Sequence, residues 1–177
     1  FVSATDDADP LNVTRGGENL KDIIYYNTDF RYTYKGSMMV SPNIYYNRTN
    51  NAVSMGYIYD KSTGRRTVTP ASINGNWRAG AGLSLSGALD KKRLLVFSNN
   101  LNADFVNSAD YIGSDEAKPM GKSIVKTWNV SERLRLDYKI GRHSIGFNGN
   151  FSWLRSASDM AAFSTINAYN YNYGLTG

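Results

Sequence analysis

The sequence has no cysteine, a single histidine and only four prolines among its 177 residues. Without cysteine the chain cannot form disulfide bonds or thiolate metal sites. Long hydrophobic runs are also missing, because no stretch approaches the roughly 20 consecutive apolar residues of a membrane-spanning helix. The i, i+3, i+4 spacing of an amphipathic helix hardly occurs. These absences exclude a helical membrane protein and favour an all-β fold.

Positive charge exceeds negative charge, but the basic residues form no continuous stripe. Lys and Arg number 20 against 15 Asp and Glu, which gives a net charge of +5. The basic residues are scattered singly among acidic ones or grouped at predicted turns, as Arg65-Arg66 and Lys91-Lys92-Arg93 are. Nucleic-acid binding requires a continuous basic surface against the phosphates. The sequence therefore predicts no nucleic-acid partner.

Apolar and polar residues alternate along most of the chain, as they do in a β-strand whose two faces meet different environments. The segment HSIGFNGNFSWLRS shows the pattern on its apolar face, which comprises His143, Ile145, Phe147, Gly149, Phe151 and Trp153. The opposite face carries small polar residues, mainly Ser, Asn and Gly. Similar alternation predicts strands at 24–34, 76–89, 124–140 and 164–177.

Short and long connections alternate between these strands. Short turns are predicted at KGS, DKKR and IGR, which end at residues 37, 93 and 142, and long loops near 50–75, 107–122 and 155–163. The first long loop has the pattern of a hairpin of its own, VSMGYIYD followed by RRTVTP around the turn KSTG. Pro42 has no N–H to donate and therefore predicts a bulge or an irregular strand.

Two architectures fit the alternation, and they differ in which solvent the aromatic face meets. Outer-membrane barrels have short periplasmic turns, long extracellular loops and strands of about 9–11 residues that cross the hydrocarbon. The pattern thus favours an antiparallel transmembrane β-barrel segment with about seven long crossing strands. The alternative is a soluble or surface-exposed β-domain that binds ligands or adheres. In the barrel, an interfacial girdle is expected from Tyr45, Tyr46, Trp77, Trp128, Trp153, Tyr169 and Tyr171.

The stretch DPLNVTRGGENLK, residues 9–21, followed at once by an alternating strand, resembles a recurrent element of TonB-dependent outer-membrane receptors, large barrels of the SusC/FecA type. In that family a GNPNLK-like loop precedes a barrel strand, and here the corresponding residues 16–21 are GGENLK. The run from Tyr45 to Trp77 looks like the family's arrangement of strand, extracellular loop and strand.

The resemblance implies that residues 1–177 are an internal piece of a larger receptor barrel in the outer membrane of a Gram-negative cell, without the plug domain. It implies import of a bulky nutrient, such as a glycan, a peptide or a metal chelate, into the periplasm. The expected partners are the TonB complex, acting through a plug outside this chain, and outer-membrane lipid. A surface lipoprotein is a further partner that the resemblance allows.

Ligands of such receptors bind between the plug and the extracellular loops, so candidate substrate-binding residues are expected in the long loops. They are Tyr57, Tyr59, Arg65, Arg66, Asp110, Tyr111, Asp115 and Glu116. Tyrosine can stack on sugar rings, and arginine can form paired hydrogen bonds to carboxylates.

Catalytic and cofactor chemistry is not expected. No nucleophile, base and orienting group can be combined from the chain, so no enzyme is predicted. The single histidine, His143, lacks neighbours at metal-ligand spacing, so no metal site is predicted. The glycine-rich segment GAGLSLSG, residues 80–87, lacks the phosphate-loop pattern, and no cofactor is expected. Its glycines are expected to relieve crowding or to bend the barrel wall.

Overall fold

The computed structural model is all β, as predicted, and it describes residues 5–17, 20–115, 121–160 and 163–177. Among these residues no helix is long and apolar enough to cross a membrane. In chain order the strands are β1 (Thr5–Asp6), β2 (Asn12–Arg15), β3 (Ile24–Arg31), β4 (Tyr34–Lys35), β5 (Met38–Asn50), β6 (Ala52–Asp60), β7 (Arg65–Ile73), β8 (Asn76–Ala88), β9 (Leu95–Ile112), β10 (Ser114–Asp115), β11 (Gly121–Ile140), β12 (His143–Ser158) and β13 (Ile166–Thr176).

Seven strands form one antiparallel sheet, which we call the wall, in the order β13-β12-β11-β9-β8-β5-β3. The two-residue strand β4 continues the β3 side of β5. The register between neighbours is continuous, for example from Val125 opposite Ser158 to Ile140 opposite His143. The strand count agrees with the predicted seven. Within the described residues β3 and β13 are the two edges of the wall.

The continuous register divides the wall into two faces of opposite character, because residues that face each other across a ladder lie on the same side. One row of the apolar face comprises Ile44, Ala81, Ala103, Val130 and Trp153. The opposite face is polar. Most exposed large apolar side chains of the wall strands lie on the apolar face; the exceptions among the described residues are Tyr25, Met39, Leu154 and Ile166.

Aromatic rings form a band across the apolar face near one end of the wall. The centroid distances are 6.0 Å between Tyr46 and Trp77, 4.9 Å between Trp77 and Phe105, and 4.5 Å between Phe105 and Trp128. The predicted girdle residues on this face are Tyr46, Trp77, Trp128, Trp153, Tyr169 and Tyr171. The band has the composition of an interfacial girdle.

The prediction for Tyr45 was wrong, because this residue lies on the polar face. Consecutive strand residues point to opposite sides of a sheet, so Tyr45 and Tyr46 cannot both join the girdle. The Tyr45 ring lies 5.3 Å from the guanidinium carbon of Arg78. It therefore belongs to the polar side of the wall.

Pro42 does not interrupt its own strand, contrary to the sequence prediction. It pairs with Leu83 in the unbroken ladder between β5 and β8. The interruption is instead in the strand on the other side of β5, because β3 ends at Arg31 and β4 begins only at Tyr34. The Tyr32 N–H donates to the Pro42 carbonyl over 3.1 Å, but Pro42 has no N–H to donate in return. The missing donor therefore breaks the facing ladder rather than bending β5.

The connections sort to the two ends of the wall as predicted. The turns after β3/β4, β8 and β11 lie at one end, which we call the turn end. The described residues 51–75, 113–115, 159–160 and 163–165 lie at the other, the loop end. At the turn end, β11 and β12 are joined by Gly141 and Arg142, and Gly141 has a φ of 61° that favours glycine. Two predicted loops are shorter than expected, because β9 continues to Ile112 and β12 to Ser158.

A second sheet of five short strands, the loop sheet, lies at the loop end in the order β1-β2-β7-β6-β10. The predicted hairpin is confirmed as β6 and β7, which pair from Ala52 opposite Ile73 to Asp60 opposite Arg65. Strand β2 pairs with β7 and β10 pairs with β6, both in parallel. The hairpin is therefore flanked on both sides by distant parts of the chain.

Two asparagines mark the junction where the chain leaves the wall and returns to it. Asn51 has a φ of 55°, and its N–H donates to Oδ1 of Asn74 over 2.7 Å. Gly75 follows with a φ of 122°, and Nζ of Lys122 donates to the Asn74 carbonyl over 2.6 Å. The amide of Asn107 donates to the Gly75 carbonyl over 2.6 Å. These bonds fix the loop sheet to the extended hairpin of β9 and β11.

Buried side chains are concentrated in the loop sheet and where it meets the loop ends of β9 and β11. The buried apolar side chains among the described residues are Val13, Ile73 and Ala109, which are 1%, 3% and 6% exposed. The wall is one layer in the described residues, so nothing there covers its apolar face. An uncovered apolar face of this size is expected to meet lipid.

We predict that an arginine introduced on the apolar face destabilises the protein much more than one at the same depth on the polar face. Phe147→Arg, between Leu136 and Leu175, should lower the free energy of unfolding in lipid bilayers by about 2 kcal/mol. Asn148→Arg is the matched control, because Asn148 is the next residue along β12 and lies on the polar face. Phe151 is less suitable, since Glu132 lies directly opposite and could pair with the new arginine. Equal losses at 147 and 148 would contradict the assignment of the faces.

Candidate functional site

The polar face of the wall carries rows of amide and hydroxyl side chains across adjacent strands. One row comprises Ser41, Ser84, Asn100, Arg133, Asn150 and Asn172. The next row comprises Asn43, Gly82, Asn102, Ser131, Ser152 and Asn170. Each of the six strands from β5 to β13 in the wall contributes one residue to each row, because these strands are in continuous register. We call these two rows the amide rows.

Hydrogen bonds connect several members of the first amide row. Nε of Arg133 donates to Oδ1 of Asn150 over 3.0 Å, and Nδ2 of Asn150 donates to Oδ1 of Asn172 over 2.7 Å. The hydroxyl of Ser84 donates to Oδ1 of Asn100 over 2.8 Å. The bonds fix the amide orientations while one face of the row stays open. The arrangement is preorganised for polar recognition.

A recess of about 590 Å³ lies over the amide rows, between β9 and β13. Its lining is mostly amide and hydroxyl groups, with two charged residues and one aromatic ring; it comprises Asn100, Asn102, Ser131, Glu132, Arg133, Asn150, Phe151, Ser152, Asn170 and Asn172. Asparagine supplies both a donor and an acceptor, and serine does the same through one hydroxyl. A surface of this kind can bind a ligand rich in hydroxyl groups without needing a charge on the ligand.

An ion pair lies on the same face, closer to the loop end. Arg78 and Asp104 are 3.1 Å apart, and the Arg78 guanidinium also lies near the Tyr45 ring. Gly80 makes this cluster possible, because a Cβ there would lie 2.5 Å from the Tyr45 hydroxyl and 2.6 Å from Asp104 Oδ1. Gly82 similarly leaves room for the side chain of Asn43. The expectation that these glycines relieve crowding agrees with these distances.

The structure brings together three of the residues predicted to bind substrate. Tyr59 pairs with Arg66 across the hairpin, and the Arg66 guanidinium lies 4.6 Å from the centroid of the Tyr57 ring. The Tyr57 ring also packs against Gly113, where no Cβ could be accommodated. All three side chains are at least partly exposed on one side of the loop sheet. They form a small aromatic and cationic surface above the wall.

Asp110 and Tyr111, also predicted to bind substrate, instead have a structural role, because their side chains connect β9 to the loop sheet. The buried Ser54 hydroxyl donates to the Asp110 carboxylate, and the Tyr111 hydroxyl donates to the Ser72 carbonyl over 3.2 Å. The Tyr111 N–H donates to Oγ of Ser54 over 3.0 Å. These groups hold the hairpin in place.

The other three predicted site residues, Arg65, Asp115 and Glu116, are not shown to join the surface formed by Tyr57, Tyr59 and Arg66. Arg65 pairs with Asp60 on the opposite side of the hairpin from Arg66, and its buried Nε has no hydrogen-bond partner in the described part of the chain. The backbone of Asp115 pairs with Tyr59. Glu116 lies outside the described residues.

Sequence reasoning recognised the amide rows as a polar face but not as a site. The recess requires that Asn100, Asn150 and Asn172 come from different strands and share one row. That coincidence depends on the register between strands, which alternation within each strand does not reveal. The high asparagine content of the alternating segments was the available signal.

The described part of the chain contains no cluster of side chains suited to binding a metal ion. Within those residues no group of three or more His, Cys, Asp or Glu side chains could hold a metal ion. His143 lies at the turn end, opposite Ile140, and is far from the amide rows.

Asp60 organises the tip of the β6–β7 hairpin. Its carboxylate accepts hydrogen bonds from the hydroxyl and N–H of Ser62 and from the hydroxyl and N–H of Thr63. The hydrogen bonds from the Ser62 hydroxyl, then from Thr63, lower the pKa of Asp60 from 3.8 to about 2. The ionised carboxylate therefore stabilises the folded turn fully above pH 3.8, and the stabilisation is lost as the pH falls through 2.

We predict that this turn opens more easily in acid. Amide hydrogen exchange at Ser62 and Thr63, corrected for its intrinsic pH dependence, should become faster between about pH 4 and 2. Asp60→Asn should show faster exchange already at neutral pH and little further change in acid. Exchange in the turn at Gly141–Arg142 serves as the internal control. Identical protection of Ser62 in the two proteins at neutral pH would contradict this role of Asp60.

The comparisons with known proteins support the architecture. Neither the curated proteins nor the solved structures gave a match. A family model described as outer membrane protein beta-barrel family matches residues 4–176, almost the whole chain. This match decides between a membrane barrel and a soluble β-domain, and it places the protein in the outer membrane. The chain thus belongs to the outer membrane protein beta-barrel family.

Proposed function

We propose that the chain forms part of a TonB-dependent receptor that imports a bulky, hydroxyl-rich nutrient, with a glycan as the favoured class. The amide rows are the observation that carries this proposal. Apart from Arg133, they present neutral donors and acceptors over a recess of about 590 Å³ on the polar face of a membrane wall. An acidic peptide or a metal chelate would favour more charged partners than Arg133 and Glu132, the two that line this recess.

Exposed aromatic side chains of the loop sheet also support a glycan as the ligand. Tyr57 and Tyr59 offer aromatic surfaces to sugar rings, and Arg66 is held beside the Tyr57 ring. A glycan that first contacts this surface would then pass along the polar face towards the amide rows. The energy for import would come from the TonB complex, through a plug supplied outside this chain.

Import in this direction requires the loop end to face the cell exterior and the turn end to face the periplasm. We predict that cysteine at Ser62, in the exposed hairpin turn, is labelled in intact cells by a thiol reagent that cannot cross the outer membrane. Cysteine at Lys91, in the turn between β8 and β9, should be labelled only after the outer membrane is opened. The 177 residues contain no cysteine, so the introduced residue is the only thiol in this segment, and cells with the unaltered protein give the background. The reverse labelling pattern would invert the orientation.

A second prediction tests the substrate class. Asn150→Leu removes both hydrogen bonds that connect Arg133 and Asn172, and it should lower the uptake rate of the transported glycan at least tenfold. The measurement is growth and uptake on a panel of glycans, peptides and chelated metals, in cells with and without TonB. Tyr57→Ala should weaken capture, which appears as a higher half-saturating concentration at an unchanged maximal rate.

The control for this experiment is Asn129→Leu, on the same polar face but closer to the loop end and outside the lining of the recess. Surface abundance and heat-modifiable mobility identify any variant that fails to fold. Uptake that is independent of TonB would contradict the energy source. A defect confined to peptides or chelates would contradict the glycan assignment.

A further inference from the structure

A groove of about 710 Å³ crosses the apolar face of the wall next to the aromatic band. Its floor is made by the small side chains of Ala79, Ala81 and Ala103, since Ala81 lies directly opposite Ala103 and Ala79 is the next residue on that face. Its sides are the rings of Trp77, Phe105 and Trp128, and Lys126 and Asn107 line it towards the loop end. The groove thus combines an apolar channel with a cation.

Three basic residues lie on the apolar face at this level of the wall. Lys126 is opposite Asn107, Arg155 is opposite Trp128, and Arg48 is opposite Trp77. The three come from β11, β12 and β5, so they flank the groove on both sides. All three side chains are exposed. Cations on a lipid-facing surface, just beyond an aromatic girdle, lie at the depth of lipid headgroups.

Nearby acidic groups do not neutralise these cations. The carboxylate of Asp159 accepts a 2.9 Å hydrogen bond from the Ile124 N–H, and Asp104 pairs with Arg78 on the polar face. Glu132 shares the apolar face but lies four residues from Trp128 along β11, towards the turn end, where its carboxylate accepts a hydrogen bond from Nδ2 of Asn99. In the described part of the chain no salt bridge involves Lys126 or Arg155.

We propose that this surface binds a diphosphorylated glycolipid, the lipid A anchor of the outer leaflet, with one acyl chain in the alanine-floored groove and phosphates at Lys126, Arg155 and Arg48. Charge complementarity selects an anionic headgroup. The spread of the cations over β5 to β12 favours two separated phosphates over the single phosphate of a glycerophospholipid. The inference rests on the outward orientation of the loop end, and it is independent of the transported nutrient.

The experiment measures lipid binding to the purified full chain in neutral detergent by native mass spectrometry and by Trp fluorescence. The probes are diphosphoryl lipid A, monophosphoryl lipid A, phosphatidylglycerol and inorganic phosphate. Diphosphoryl lipid A should bind most tightly, and inorganic phosphate should not displace it. Each cation removed, as in Lys126→Gln and Arg155→Gln, should weaken lipid A binding about fivefold.

Arg142→Gln, at the turn end, is the matched loss of charge and should bind lipid A as the unaltered protein does. Ala103→Leu fills the groove without changing any charge and should also weaken binding, while Lys126→Arg should retain it. Unchanged affinity in the Lys126→Gln, Arg155→Gln double variant would overturn the proposal, as would equal affinity for phosphatidylglycerol. Because no nutrient or TonB is present, failure of the import proposal would leave this result unaffected.

Discussion

The structure depends on the requirement that backbone N–H and C=O groups inside a membrane be paired within the sheet itself. The wall meets it through continuous ladders, such as the one that pairs β9 with β11 from Gly121 to Tyr138. Pro42 illustrates this requirement. Its missing N–H interrupts the ladder to the neighbouring strand at Tyr32 and Thr33, while β5 itself continues. With the backbone satisfied in one layer, apolar side chains are free to face outward.

The same ladders decide what the polar face can do. A continuous register aligns asparagine and serine from neighbouring strands into the amide rows, and it places Gly80 beside Tyr45 and Asp104. Small residues thus accept the longer side chains of adjacent strands. The result is a preorganised polar surface on one side and, where alanines align on the other side, a groove in the apolar surface.

Much of the fold could be predicted because alternation is a local property of the chain. It identified the apolar faces, the β6–β7 hairpin and the division into short turns and long loops. It failed for Tyr45, which was grouped with its neighbour by residue type, and it ended β9 too early because polar residues such as Asn107 and Ser108 still pair. For the candidate site it predicted exposed loop residues, of which Asp110 and Tyr111 connect β9 to the loop sheet.

The sequence by itself determined which residues of each strand share the apolar face and which share the polar face, because side chains alternate with a period of two regardless of what the strand pairs with. The tertiary structure decided which side chains become neighbours. The amide rows, the lipid-facing groove between Trp77 and Trp128, and the junction at Asn51 and Asn74 all join residues that are distant in the chain. Their proximity is set by hydrogen bonds between strands, and those bonds fix a register that no single strand contains.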